Sequence, residues 1–68
     1  MTKFRFDDSF KTKEIEILRI GYPVLSDETS KYIEVPDFVI SDIRTIIAEA
    51  GLICYFNNNA WSVRHKYQ

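Results

Sequence analysis

Apolar positions recur along this chain with two different periods, and the switches between them mark out its elements. Between Asp37 and Ala50, the residues Val39, Ile40, Ile43, Ile46, Ile47 and Ala50 fall, at about 100° per residue, within an arc of about 120°. Ser41, Asp42, Arg44, Thr45 and Glu49 take the rest of the circumference. That spacing predicts an amphipathic helix over residues 37–50. Pro36 and Asp37 suit its start, because proline is pre-set for the first turn and a carboxylate there meets free N–H groups. Gly51 suits its end, since it takes the left-handed conformation without strain.

Elsewhere the period shortens to two. Ile53–Phe56 and Ala60–His65 are rich in β-branched and aromatic residues and flank Asn57-Asn58-Asn59, which predicts a hairpin. A loop of the Asn residues alone puts Cys54 opposite Ser62, whereas a loop from Asn57 to Ala60 puts it opposite Val63. Upstream, Glu14–Ile20 begins by alternating Glu14 and Glu16 with Ile15 and Ile17. As a helix its apolar residues would scatter around the whole circumference, so the segment reads as a strand. Tyr22–Leu25 and Lys31–Val35 flank a polar cluster from Ser26 to Ser30 and read as a second hairpin, with Pro23 marking an edge or a break. Phe4 and Phe6 supply a short N-terminal strand ahead of the turn at Asp7-Asp8-Ser9. The expected order is β-β-β-α-β-β. This is a single α+β domain over residues 1–68, a two-layer sandwich in which an antiparallel sheet of four to five strands packs against one amphipathic helix.

Size makes that core small. A chain of 68 residues buries only about 60% of the surface its unfolded form exposes. A composition 46% hydrophobic and 15% aromatic is nevertheless that of a folded domain. The single cysteine, Cys54, excludes an intrachain disulfide, and with the single histidine, His65, it falls short of the four ligands of a structural zinc site. No cofactor is expected either: with only Gly21 and Gly51 in the chain, a glycine-rich phosphate cradle is excluded. The opening MTKFRFDDSF lacks the apolar stretch of a secretory signal. No run approaches the roughly 18 apolar residues of a membrane span. With the unpaired cysteine, this reads as a soluble cytoplasmic protein without membrane contact.

Charge is unevenly spread. The net charge is −1, yet residues 21–51 carry Lys31 and Arg44 against Asp27, Glu28, Glu34, Asp37, Asp42 and Glu49, while residues 52–68 carry Arg64 and Lys66 and no acid. The chain therefore lacks the strongly basic footprint of a dedicated DNA binder. Its C-terminal hairpin still sets Tyr55, Trp61 and Tyr67 among Arg64 and Lys66, a pattern that could stack bases and meet phosphates. The same Trp61 and Val63 also suit the core, and a domain this small can hardly spare its one tryptophan. Cys54 and His65 form the one nucleophile–base pair worth testing, but same-face diagonal neighbours sit about 7–8 Å apart, beyond hydrogen-bond reach. The acids Asp7, Asp8, Asp27 and Glu28 read as solvated turn residues. Phe38 lies opposite the helix's apolar stripe. Either it folds back on Val35, or it stands exposed as an anchor for a protein partner.

With no catalytic set, metal cluster or cofactor cradle in the pattern, the expectation is a non-enzymatic binding protein. It would dock onto a larger macromolecule as an inhibitor or regulator, a style of small domain common among phage-encoded anti-host and anti-defence factors. The exposed edges of its sheet can pair with another chain. The alternative is a nucleic-acid-binding module built on the C-terminal hairpin. The candidate partner-binding residues are Phe38, Tyr55, Trp61, Arg64, Lys66 and Tyr67, and a homodimer is compatible with either reading.

Overall fold

The predicted helix forms, with a tighter start than its periodicity implies. In the computed structural model, which describes residues 1–66, Asp37–Val39 make a 3-10 turn and α2 runs Ile40–Glu49. The Val39 N–H donates to the Pro36 carbonyl at 3.1 Å, so the first turn closes on fewer residues than an α-turn does. The stripe buries Ile43 and Ile47 to 2% and 0% exposure. At the other end Gly51 adopts φ +78°, the left-handed stop its sequence position predicts.

Glu14–Ile20 is not a strand. Its first residues belong to a short helix, α1, over Thr12–Glu16, started by Glu14 Oε1 accepting the Lys11 backbone N–H at 3.0 Å. The objection from the helical wheel fails because the helix is too short to need a full stripe. Ile15 alone is buried, Ile17 is left 74% exposed, and the chain leaves the helix through Arg19 at φ 55° before reaching Ile20. The polar cluster downstream is flanked by a shorter strand than expected: β2 is only Leu25–Ser26, with Pro23 outside it. β1 spans Thr2–Phe6 and β3 spans Lys31–Val35. β4 (Leu52–Asn57) and β5 (Ala60–His65) form the C-terminal hairpin.

The observed order is therefore β-α-β-β-α-β-β rather than β-β-β-α-β-β. The strands lie β2-β3-β1-β5-β4 across one sheet, antiparallel except that the central β1 runs parallel to β5, with Phe4 beside Trp61 and Phe6 beside Val63. Strand alternation sends Phe4, Phe6, Ile33, Val35 and Val63 to one face, where they close on Phe10, Ile15, Ile43 and Ile47. Both helices cover that face. Lys3, Arg5, Tyr32, Glu34, Ile53, Tyr55, Ser62 and Arg64 alternate onto the uncovered one.

Candidate functional site

The hairpin is closed by Asn58 and Asn59, both left-handed at φ 51° and 62°. Two such residues make a type I′ turn, leaving Asn57 paired with Ala60 and Cys54 with Val63. In this hairpin class the closing pair exchanges both hydrogen bonds, and the pattern then alternates along the ladder. Asn57, Tyr55 and Ile53 consequently bond inward to β5. Leu52, Cys54 and Phe56 turn their N–H and C=O groups outward, to the free side of β4. Beside them, Ser41, Arg44, Thr45 and Ala48 of α2 line a groove of about 370 Å³ with Leu52 and Cys54.

The two edges of the sheet are managed differently. β2 presents two residues, flanked by Pro23 and the acidic turn at Asp27 and Glu28, devices that blunt an edge against pairing. β4 presents six, Leu-Ile-Cys-Tyr-Phe-Asn, with neither a charge nor a proline among them. Tyr55 and Phe56 are 43% and 59% exposed.

Trp61 and Tyr55 lie on opposite faces of the sheet. Trp61 stacks on Phe4 at 5.9 Å, takes Phe56 edge-on at 5.3 Å, and is capped by the Arg44 guanidinium at 4.7 Å. Its ring is thereby committed to neighbours of its own chain. Tyr55 shares the uncovered face with Arg64, whose Nη1 donates to the His65 carbonyl at 3.4 Å. Lys66 is exposed just past β5, and Tyr67 lies outside the described residues. Tyr55 and Trp61 thus cannot form a single stacking platform.

Cations on the uncovered face are engaged locally. Lys3 and Arg5 sit over the Tyr32 ring at 4.8 and 5.4 Å. Arg5 Nη1 also donates to Asp27 Oδ2 at 2.9 Å and to Ser30 Oγ at 3.2 Å. The backbone N–H of Ser30, then Arg5 and the Thr29 N–H, hold the Asp27 carboxyl down at about 2. A carboxyl held below its unfolded value of about 3.9 contributes stability that is complete above that value and is lost as pH falls through the folded one. Asp27→Asn should therefore flatten the acid limb of the stability profile between about pH 4 and pH 2. Urea midpoints of both proteins, measured at half-unit pH steps, check this; parallel limbs would contradict it.

Cys54 and His65 do not act together. Burial pushes the Cys54 thiol up, with Arg44 opposing, which disfavours the nucleophilic thiolate. The ring nitrogens of His65 are engaged elsewhere, Nδ1 with Ser9 Oγ at 2.9 Å and Nε2 with Glu14 Oε2 at 3.3 Å, and the ring lies flat on Phe10 at 4.0 Å. Ser9, His65 and Glu14 have the outline of a nucleophile–base–acid relay. Asp7 alters its chemistry. A carboxylate can only accept, so the single hydroxyl proton of Ser9 goes to Asp7 Oδ1 at 2.5 Å, and the imidazole must donate to Ser9 rather than deprotonate it. The Ser9 backbone N–H is bound to the same oxygen at 3.0 Å, so it is not free to hold an oxyanion. The Lys11 backbone N–H first, and His65 second, hold the Glu14 carboxyl below its usual range. The cluster is a clamp fastening the end of β5 to the β1–α1 loop.

Among the described residues Phe38 is the most exposed large apolar side chain, at 84%, so it does not fold back on the fully buried Val35. Its neighbours in the chain are held on both sides. Thr2 Oγ1 donates to Asp37 Oδ1 at 2.7 Å, and Val39 and Ile40 pack against the core.

Among the described residues no cluster of His, Cys, Asp and Glu could hold a metal ion, and no helix is long and apolar enough to cross a membrane. No protein-family model, curated protein or solved structure matches the chain.

Proposed function

We propose that this chain is a non-enzymatic binding protein that docks onto a larger protein through the start of α2, acting as an inhibitor or regulator. The observation that carries the reading is Phe38. A phenylalanine turned to solvent gains nothing for its own fold, and here the turn that bears it is tied down by Thr2, Val39 and Ile40. Rigid aromatic side chains of this kind act as interface anchors, because little conformational freedom is lost when they enter a partner's pocket. Ser41, Asp42 and Thr45, all exposed, supply the polar surround such an anchor has. A reducing, cytoplasmic setting belongs with this reading, since a lone thiol on an open strand edge invites oxidation elsewhere.

Comparative capture tests it. Wild type and Phe38→Ala, each immobilised at equal density, are exposed to a nuclease-treated extract of native host cells, and the proteins retained are quantified. Losing an anchor costs at least about 2 kcal/mol, or about 30-fold in affinity. One or more proteins should be depleted by that factor on the variant, while its urea midpoint matches wild type, as expected for an exposed site. Equal retention by both proteins would remove the proposal. Retention seen only from an extract left untreated with nuclease would transfer it to nucleic acid.

A further inference from the structure

The β4 edge has a different occupant. We infer that it pairs antiparallel with the β4 edge of a second copy of this chain, joining two five-stranded sheets into one across a two-fold axis through Cys54. Phe38 takes no part in this contact, although Ser41 and Thr45 border both surfaces, and the inference does not depend on the Phe38 reading.

Composition makes self-pairing permissible. An antiparallel contact between identical strands brings each charge near its own copy, so charged edges reject themselves. β4 contains no charge from Leu52 to Asn57, whereas the opposite edge is short and ends beside an acidic turn. Protection given to one edge and withheld from the other is what a sheet needs if it is to pair once and stop.

Geometry then selects the register. A two-fold axis along the sheet normal keeps both helical layers on the same side, so a residue can face only a partner residue of its own parity. The outward backbone groups belong to Leu52, Cys54 and Phe56, all of one parity. Placing Cys54 opposite its own copy satisfies all three, with Leu52 facing Phe56 of the second copy and Phe56 facing Leu52. Shifting by one step, so that Tyr55 faces itself, leaves Leu52 without a strand partner. The centred register also covers apolar surface. It sets Phe56, 59% exposed, against the other copy's Leu52, which borders the same hollow as the 74% exposed Ile17. Above the new strand pair the groove is lined by the small Ser41, Thr45 and Ala48 together with Arg44, whose guanidinium is held over the Trp61 ring of its own chain. A chain with so small a core gains from this burial.

Sedimentation velocity on the full chain over a range of concentrations reads the association directly, and Cys54 provides the register. Hydrogen-bonded antiparallel partners have Cα atoms about 5.5 Å apart, within disulfide reach. Wild type should therefore sediment as a dimer at on the order of 100 µM and cross-link through Cys54 under mild oxidation. Cys54→Lys sets like charges opposite each other and should raise the dimer Kd by at least about tenfold; so should Cys54→Glu. Mixing the two variants should restore a dimer containing one of each. A wild type monomeric throughout the range overturns the inference. So does a dimer that forms without cross-linking at Cys54 and is indifferent to both substitutions. Because the restored mixture is itself a readout, a variant that merely folds poorly cannot imitate the expected result.

Discussion

Phe4→Ala is expected to abolish cooperative folding at physiological temperature. Phe4 is fully buried in the central strand. It faces Ile33 on one side and Trp61 on the other, so it touches both halves of the sheet. Truncating a buried phenylalanine costs about 3–5 kcal/mol, transfer and cavity together. A domain of this length commands about 3–10 kcal/mol in all, so the loss removes most or all of it. The comparison that isolates the cause is Ile17→Ala, which deletes a similar apolar side chain at 74% exposure and should stay within about 0.5 kcal/mol of wild type. Urea melts followed by far-UV and near-UV circular dichroism distinguish the two. A cooperative transition for Phe4→Ala at the midpoint of Ile17→Ala would mean that β1 is not the centre of the core.

That centrality illustrates what the chain declares locally and what it does not. The period of α2 and its glycine stop are carried by adjacent turns, so they can be read from residues 36–51 alone. The hairpin was equally visible, but its register depended on whether Asn58 and Asn59 both take left-handed φ, which they do. α1 is ambiguous in the sequence because the alternation of Glu14 and Glu16 with Ile15 and Ile17 lasts only two cycles, which fits a strand as well as a helix that ends after Glu16. The parallel pairing of β1 with β5 leaves no local trace, since its partners lie at opposite ends of the chain. The same distance concealed the clamp: Ser9 and His65 are 56 residues apart. The neutrality of Leu52–Asn57 is written in the sequence. That it forms an edge follows only from the strand order, and that order is set by the long-range pairing of β1.

Trp61→Ala is expected to lower stability by about 2–4 kcal/mol, at and below the lower half of the range of about 3–5 kcal/mol for large aromatics, because the side chain is only partly buried. The loss has three sources. The indole covers Phe4, gives Phe56 its edge-on contact, and supports the Arg44 guanidinium. Cation–π contact at a partly exposed site contributes about 0.5–1 kcal/mol, and an aromatic pair about 0.5–1.5 kcal/mol beyond its area. Apolar burial against Phe4 supplies most of the remainder. Trp61→Phe retains a ring in the same slot, so it should recover more than half of the deficit. Arg44→Ala should reproduce only the cation–π share. A tryptophan kept as a platform for ligand bases would behave otherwise, because its removal would spare the fold and affect binding alone. Urea melts of the three variants separate the possibilities: a graded series with Arg44→Ala least and Trp61→Ala most affected assigns the ring to the core. Three coincident melts would return it to the surface as a site of recognition.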